Sequence, residues 1–227
     1  MKKAFIYSVL AISVFSFTSC SGSDDENNEN YTISPGSATL NYDKSQQFEI
    51  KNNGSTISAS EFTWSVSDEK RALVTPSGMV AAKKVGEIQV TATKNGKSVT
   101  SKVTISPYQT FFKEPSLLFG KTKAEIKASE TRVLVNETAT AIGYKGENAN
   151  ITNLAYSFDT AGKMKSVIVT FPSTSASIDR VSTFYKERYL VVSGQGNYIT
   201  LKNLDSNIFM VMGVPSSQYV AVNYTNE

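Results

Sequence analysis

Short runs of alternating apolar and polar residues, separated by turn residues, follow one another between residues 31 and 106. In runs such as FTWSV and GEIQVTATK, every second side chain lies on the same side of an extended chain. Asn95-Gly96, within KNGK, accepts the positive φ angles of a type I′ hairpin turn, and Gly78, within PSGM, suits a second turn. This pattern predicts an antiparallel β-sandwich over residues 31–106.

The same segment resembles the bacterial immunoglobulin-like domain, group 2, in several motifs that occur in the family's order. These are the opening ISPGSATLNY, then Trp64 followed by SVSD, then the spaced Val74, Gly78 and Val80, and finally VGEIQVTAT. The resemblance implies a fold of about seven strands. It also implies the role that the family has in surface proteins, which is that of a spacer or adhesion module.

Trp64 is the only tryptophan of the chain and has two interpretations. An exposed indole would be a platform on which a sugar ring could stack. Phe62, Trp64 and Val66 share one face of a strand, however, and this spacing favours a place in the core between the two sheets.

After Pro107 the pattern changes, and two helices are predicted among further strand-like runs. Thr122 can cap the first helix, with Glu125 three residues later completing a capping box. The run STSASIDRVSTFYKERY places its larger apolar residues on one face of a second helix. Residues 107–227 are therefore predicted to form an α+β domain, with the order αβββ twice and an antiparallel sheet covered by two helices.

Part of this second domain resembles two families of small envelope and inhibitor proteins. FG at 119–120, EI at 125–126 and the stretch 156–171 are similar to the αβββ unit of outer-membrane assembly lipoproteins and of β-lactamase-inhibitor-like repeats. The pattern does not recur after the second helix, so the resemblance covers about half of the domain. Both families bind proteins, and the resemblance implies binding rather than catalysis.

Residues 1–19 have the features of an export signal, with Lys2 and Lys3 followed by the apolar run AFIYSVLAISVF and then small residues. The apolar run is too short to cross a bilayer comfortably as a helix. With FTSC at 17–20 the segment resembles a bacterial lipoprotein precursor. This resemblance implies that Cys20 is lipidated and becomes the mature N-terminus. A soluble secreted protein with a free thiol is the alternative.

Residues 20–30 are predicted to form a disordered acidic tether, because SGSDDENNEN has four acids and no apolar residue. Ser23, Asp24, Asp25 and Glu26 resemble the export signal of Bacteroidetes-type surface lipoproteins. That resemblance implies an outer-membrane anchor with display on the cell surface. The alternative location is the inner leaflet of the outer membrane, where the protein would face the periplasm.

The composition of the 227 residues restricts the kinds of catalytic and metal-binding site that the chain can form, since there is no histidine and one cysteine. These counts remove the commonest general base and exclude internal disulfides and thiolate metal clusters. Formal net charge is +3, of which Lys2 and Lys3 supply two, and no cluster of Lys and Arg is present. Asp43, Asp68 and Glu69 lack the spacing of calcium-binding loops and are predicted to be solvated. The sequence therefore predicts no cofactor, no metal and no nucleic-acid partner.

Three carboxylates, Glu125, Asp159 and Glu187, remain as candidates for an unusual hydrolase. GQGN at 194–197 follows a strand and precedes another strand, so it is predicted to be a hairpin turn rather than a phosphate loop. Aromatic residues are plentiful in the second domain and suit protein or glycan recognition. They are Tyr144, Tyr156, Phe158, Phe184, Tyr185, Tyr189, Tyr198, Phe209, Tyr219 and Tyr224.

Together these features predict a non-catalytic lipoprotein of the cell envelope. An immunoglobulin-like stalk or adhesion module would present a C-terminal domain that binds a protein or a glycan. The alternative prediction keeps the lipid anchor but faces the periplasm, where the second domain would act as an envelope-assembly or inhibitor-like protein partner.

Overall fold

The computed structural model describes residues 29–226. Ten strands fall in the first part of the chain: β1 (Tyr31–Ser34), β2 (Ser37–Asn41), β3 (Ser45–Gln47), β4 (Glu49–Asn52), β5 (Ser55–Ile57), β6 (Thr63–Val66), β7 (Ala72–Val74), β8 (Met79–Ala82), β9 (Gly86–Lys94) and β10 (Lys97–Ser106). They form sheets with the strand orders β2-β10-β9-β6, β1-β4-β5 and β3-β8-β7. All pairs are antiparallel except β2 with β10. The predicted sandwich is confirmed.

The two turns that the sequence predicts in the sandwich are present. Asn95 and Gly96 have φ angles of 51° and 77° between β9 and β10, and Gly78 has φ 81° between β7 and β8. Gly78 is also required because there is no room for a side chain at this position. A Cβ atom there would lie 2.7 Å from the carbonyl oxygen of Phe48 and 2.9 Å from the ring of Trp64.

Trp64 packs against the sandwich core on the face that its spacing predicts, but it lies at the edge of the core rather than within it. It is partly buried and packs against both clusters of buried apolar residues in the sandwich. Its indole N–H donates a hydrogen bond of 2.8 Å to the carbonyl oxygen of Ala59. The indole is therefore a packing and hydrogen-bonding element of the fold.

The second part of the chain has eight strands and two helices: α1 (Lys123–Ser129), β11 (Leu134–Glu137), β12 (Ala141–Lys145), β13 (Asn153–Phe158), β14 (Met164–Pro172), α2 (Ser175–Lys186), β15 (Leu190–Gln195), β16 (Tyr198–Lys202), β17 (Ile208–Ser216) and β18 (Tyr219–Asn226). One antiparallel sheet contains all eight strands in the order β11-β12-β13-β14-β18-β17-β16-β15. The order is symmetric about the β14–β18 pair, so the two halves of the domain end in equivalent edge strands, β11 and β15.

The predicted order αβββ twice is wrong, because each helix is followed by four strands. The run RVLVNETATAIGYK is a hairpin rather than one strand. Its turn has no Gly or Pro, and Thr138 forms it by accepting a hydrogen bond of 3.0 Å from the amide of Ala141. The run LVVSGQGNYITLKN forms a hairpin with the predicted turn, at Gly196, where φ is 56°, so it contributes two strands.

Both helices begin at threonine caps and lie on the same face of the sheet. Thr122 and Glu125 form the predicted capping box, and Thr174 caps α2 by accepting a bond from the amide of Ser177. The buried side chains of the helices belong to one core with the inward-facing side chains of the sheet. They are Ile126, Val181, Phe184 and Tyr185.

Glu187, at the end of α2, joins the α+β domain to the sandwich. Its side chain is fully buried and accepts hydrogen bonds from the amides of Tyr108 (2.8 Å) and Gln109 (3.1 Å) in the linker. Its main-chain carbonyl accepts a bond of 2.8 Å from the amide of Val85 in the sandwich. Arg188 pairs with the carboxylate and donates to the carbonyl of Gln109. The two domains are therefore connected by buried polar contacts as well as by the chain.

Candidate functional site

We call the face of the eight-stranded sheet opposite the helices the open face. Three rows of paired residues cross it, and Tyr219, which pairs with Pro172, extends it beyond the last of these rows. The middle row is Asn136, Gly143, Ala155, Ile168, Asn223, Val211, Thr200 and Ser193. One flanking row is Ala141, Ser157, Ser166, Thr225, Phe209, Lys202 and Leu190, and the other is Lys145, Asn153, Thr170, Ala221, Gly213, Tyr198 and Gln195.

The composition of these rows sets the electrostatics of the open face. Lys145 and Lys202 are the charged residues in the three rows, and no row contains Asp or Glu. The remaining side chains are small, apolar or uncharged polar. A partner that covers the centre of this face would therefore not bury an unpaired carboxylate, which is the costly event in forming an interface.

Exposure separates the ten aromatic residues that the sequence analysis singles out. Seven are buried: Tyr144, Tyr156, Phe158, Phe184, Tyr185, Tyr189 and Tyr224. The other three are Tyr198, Phe209 and Tyr219. They lie on β16, β17 and β18, and the buried neighbours that alternate with them place all three on the open face.

Tyr198 has the most exposed of these rings, with 48% of the residue accessible. It pairs with Gly213 on β17, and its ring lies directly against that residue. A Cβ atom at Gly213 would be 2.3 and 2.5 Å from two carbon atoms of the ring. The glycine therefore makes the position of the ring sterically possible. Sequence reasoning did not identify this pair, since nothing in the local pattern shows that the two residues meet.

A groove of about 430 Å³ runs over this half of the open face. It is lined by Ile168, Tyr198, Val211, Gly213, Pro215, Tyr219, Ala221 and Asn223. The walls are mainly apolar, with the two tyrosines at the sides and the amide of Asn223 as a polar group. Binding sites typically combine apolar walls with a few polar groups in this way.

The three candidate catalytic carboxylates do not line this groove, and each is bound by main-chain amides. Glu125 closes the capping box, and the hydrogen bond from the amide of Thr122 is the main cause that lowers its pKa to about 2. Asp159 accepts bonds of 2.9 Å from the amide of Ala161 and 2.8 Å from that of Lys163, in the turn between β13 and β14. The carboxylate of Glu187 is held by the linker. All three thus have structural partners.

Of the three sandwich acids that the sequence predicts to be solvated, Glu69 is exposed, and Asp68 and Asp43 have partners in the structure. Asp68 accepts a bond of 2.9 Å from the amide of Lys70 and pairs with Arg71. Asp43, at φ 72° in a turn, accepts a bond of 3.2 Å from the hydroxyl of Tyr108. Within residues 29–226, no group of three or more His, Cys, Asp or Glu side chains is placed to hold a metal ion.

The other predicted site residues have two different outcomes. GQGN at 194–197 forms the turn of the β15–β16 hairpin, as predicted. Cys20 and the export-signal residues Ser23, Asp24, Asp25 and Glu26 lie outside the described residues, so their roles stay predictions.

Glu114 connects the linker between the domains to the core of the α+β domain. Its carboxylate accepts hydrogen bonds from the hydroxyls of Tyr189 and Tyr224, and the latter bond is 3.2 Å long. Burial raises the pKa of this carboxyl above its usual value, because removal from water disfavours the charged form. Glu114 is half-buried on the helix side, away from the open face, where it lines a pocket with Arg188 and Tyr189.

The first 80 or so described residues match a known family model. Residues 29–105 match the bacterial Ig-like domain (group 2). This segment is a bacterial Ig-like domain of group 2. The match ends at the last strand of the sandwich, so it does not include the α+β domain. No helix within residues 29–226 is long and apolar enough to span a membrane.

The solved structures that resemble the chain come from one surface layer protein and one lipoprotein. Domains 4–9 of the surface layer protein SbsC are 10% identical over 88% of this chain, with a TM-score of 0.31. The chain spans 27% of that structure's length. Domains 5–6 of SbsC are 11% identical over 88% of this chain and 84% of theirs, with a TM-score of 0.30. A lipoprotein of Bacteroides thetaiotaomicron is 10% identical, over 87% of this chain and all of its own, with a TM-score of 0.20. The search of curated proteins gave no match.

Proposed function

We propose that this protein is a non-catalytic lipoprotein of the cell envelope that recognises a protein partner through the open face of its α+β domain. The Ig-like domain fits a surface or adhesion-type module, and in this proposal it holds the α+β domain away from the membrane. Lipidation of Cys20 and the acidic stretch 23–26 would anchor the protein in the outer membrane and direct it to the cell surface.

One observation carries the proposal of a binding surface. Of the ten aromatic residues that the sequence analysis names, the three that the core does not bury, Tyr198, Phe209 and Tyr219, all lie on the open face. Aromatic side chains contribute much of the energy of protein interfaces, and the centres of interfaces are poor in charge. The open face combines both properties, because its rows contain no carboxylate.

The groove favours a protein over a glycan as the partner. Its walls are mainly apolar, and an apolar side chain of a protein would fill it without leaving polar groups unpaired. A glycan needs several hydrogen-bonding groups around its hydroxyls. Asn223 and the two tyrosine hydroxyls are the side-chain groups that the groove lining offers for this purpose. A neutral sugar stacked on Tyr198 is therefore the second candidate.

The periplasm-facing orientation remains the alternative location. In that orientation the same open face would meet a protein of the envelope-assembly machinery or a protein that it inhibits. The non-catalytic assignment is supported by the lack of histidine and by the local partners of Glu125, Asp159 and Glu187.

Gly213→Val tests the proposed surface directly. The new side chain would displace the ring of Tyr198, since a Cβ at this position already overlaps it. The same Cβ would lie 3.2 Å from the carbonyl oxygen of Asn197, so the turn before Tyr198 moves with the ring. Any protein that binds the wild-type chain is expected to bind the variant at least about tenfold more weakly, which corresponds to about 1.4 kcal/mol. Affinity is measured by calorimetry on a partner captured from envelope extract, with a glycan array in parallel.

Gly143→Val is the matched control, because it makes the same change on the same face in the other half of the sheet. A Cβ there would find its nearest neighbour 3.7 Å away, at Asn136, which is an ordinary contact. Equal binding by wild type and both variants would contradict the role of the groove. If Gly213→Val lost binding to a glycan and kept binding to every protein, the partner would be the second candidate, a neutral sugar stacked on Tyr198.

A further inference from the structure

The pair β2–β10 differs from the other strand pairs of the sandwich because its strands are parallel. Residues 37–41 of β2 face residues 102–106 of β10 in five pairs. The amide of Tyr42 continues the ladder and donates a hydrogen bond of 3.0 Å to the carbonyl oxygen of Ser106. β2 lies at the edge of its sheet, whereas β10 is held between β2 and β9. A force that acts on β2 is therefore resisted mainly through β10.

The chain enters the sandwich at one end and leaves it at the other. At the entry, the carbonyl oxygen of Glu29 accepts a hydrogen bond of 3.3 Å from Lys97, beside the β9–β10 turn. At the exit, Ser106 ends β10 and leads into the linker, which the carboxylate of Glu187 holds to the α+β domain. β10 has ten residues, so the two ends are about 30 Å apart. A pull between them is directed along β10.

We propose that the sandwich transmits tension, and that the β2–β10 pair resists a pull between the membrane anchor and a partner bound to the α+β domain. Such a pull draws β2 towards its N-terminal end and β10 towards its C-terminal end. In a parallel pair these directions are opposite, so the strands must slide and all hydrogen bonds of the pair are stretched together. β1, which precedes β2, pairs with β4, so its release would leave these bonds intact. The inference rests on the proposed function for the two points of the pull, Cys20 and the open face.

Side chains of both strands oppose this sliding. Leu40 of β2 lies opposite Ile105 of β10, and both belong to the buried core of the sandwich together with Val103. A slip of one residue would turn the buried side chains of β2 towards solvent. The hydroxyl of Ser101 in β10 also donates a hydrogen bond of 2.9 Å to the carbonyl oxygen of Pro35, just before β2. Packing and a side-chain hydrogen bond thus act in the same direction as the backbone ladder.

Single-molecule force spectroscopy of the unlipidated protein tests the proposal by changing the direction of the pull. In Lys113→Cys, handles on residues 20 and 113 pull the sandwich from its two ends. In Asn95→Cys, handles on residues 20 and 95 pull at one end, where β2 and β10 separate one bond at a time. The sandwich, identified by its gain in contour length, should unfold at a force at least about twofold higher in the first geometry, because its hydrogen bonds share the load. Equal forces in the two geometries would overturn the proposal.

Two proline substitutions in β2 test the hydrogen bonds of the pair. The amide of Tyr42 points towards β10, and backbone amides alternate in direction along a strand, so the amide of Ala38 also points towards β10 and that of Thr39 points away. Ala38→Pro removes one donor and should lower the unfolding force in the end-to-end geometry by at least about one fifth. Thr39→Pro is the matched control and should leave the force unchanged, since proline is tolerated at a sheet edge where its nitrogen faces outward.

The proline variants give two further results that would overturn the proposal. One is an unchanged unfolding force in Ala38→Pro, and the other is an equal loss of force in Thr39→Pro. Circular dichroism checks that each variant is folded, and the comparison of pulling directions needs no substitution in a strand. None of these measurements involves a lipid or a partner, so they stand whether the proposed function holds or fails. That function is tested separately by Gly213→Val and by removal of the thiol of Cys20.

Discussion

Replacement of Glu187 by alanine is expected to lower the free energy of unfolding of the α+β domain by about 3–5 kcal/mol, because it breaks a buried ion pair from one side. The carboxylate is fully buried and satisfies two linker amides, those of Tyr108 and Gln109. Its loss leaves these amides without their acceptor and removes the carboxylate that pairs with the guanidinium of Arg188. The change is measured by chemical denaturation with tryptophan fluorescence and circular dichroism recorded together.

Glu137→Ala is the control for this prediction. Glu137 is a surface residue whose side chain is 38% accessible and which pairs with Lys127 and Lys123. Exposed pairs of this kind contribute at most about 1 kcal/mol. Equal destabilisation by the two substitutions would mean that the contacts of Glu187 do not hold the linker in the way the structure describes. A second, earlier transition in Glu187→Ala would show that the two domains have come apart.

Cys20→Ala is expected to abolish attachment of the protein to the outer membrane. In the proposed function, acyl chains on this residue supply the anchor, and each buried CH₂ group contributes about 0.8 kcal/mol to membrane binding. Without the thiol there is no attachment point, so the chain is either released or left unprocessed. Fractionation after an alkaline wash measures whether the variant is still attached to membranes. Incorporation of a labelled fatty acid measures whether it is lipidated.

Ser21→Ala is a suitable control, since it changes the neighbouring residue and keeps the thiol. It should be labelled with fatty acid and sediment with membranes as the wild type does. A Cys20→Ala protein that stays membrane-bound at its mature size after the alkaline wash would disprove the lipid anchor. The proposal for the open face would be unaffected by that result, because it depends on residues of β16, β17 and β18.

The local signals of the sequence predicted most elements, and the failures have a physical cause. Asn95-Gly96 and the Thr122–Glu125 capping box were recognisable because a turn and a helix start need particular residues at fixed spacing. The β11–β12 hairpin was missed because its turn is closed by the side chain of Thr138, in a stretch without Gly or Pro. The strand count of the α+β domain was therefore wrong, whereas its class was right.

The candidate site could be predicted only in its residue types. Tyr198 was one of ten aromatic residues, and no local pattern distinguished it from the seven that are buried. Its exposure depends on the register that places it opposite Gly213, and that register is fixed by strand pairing across the whole sheet. Glu187 shows the reverse case. In the sequence it was one of three carboxylates left as candidates for an unusual hydrolase, and its burial against the linker became visible only in three dimensions.

The most direct test of the account is whether the open face is accessible on intact cells. Asn223→Cys places a thiol in the groove, and Val222→Cys places one on the neighbouring residue, which is fully buried on the helix side. A maleimide that cannot cross the outer membrane should label Asn223→Cys on intact cells and leave Val222→Cys unlabelled. Labelling of Asn223→Cys only after the outer membrane is permeabilised would contradict surface display and would favour the periplasm-facing alternative.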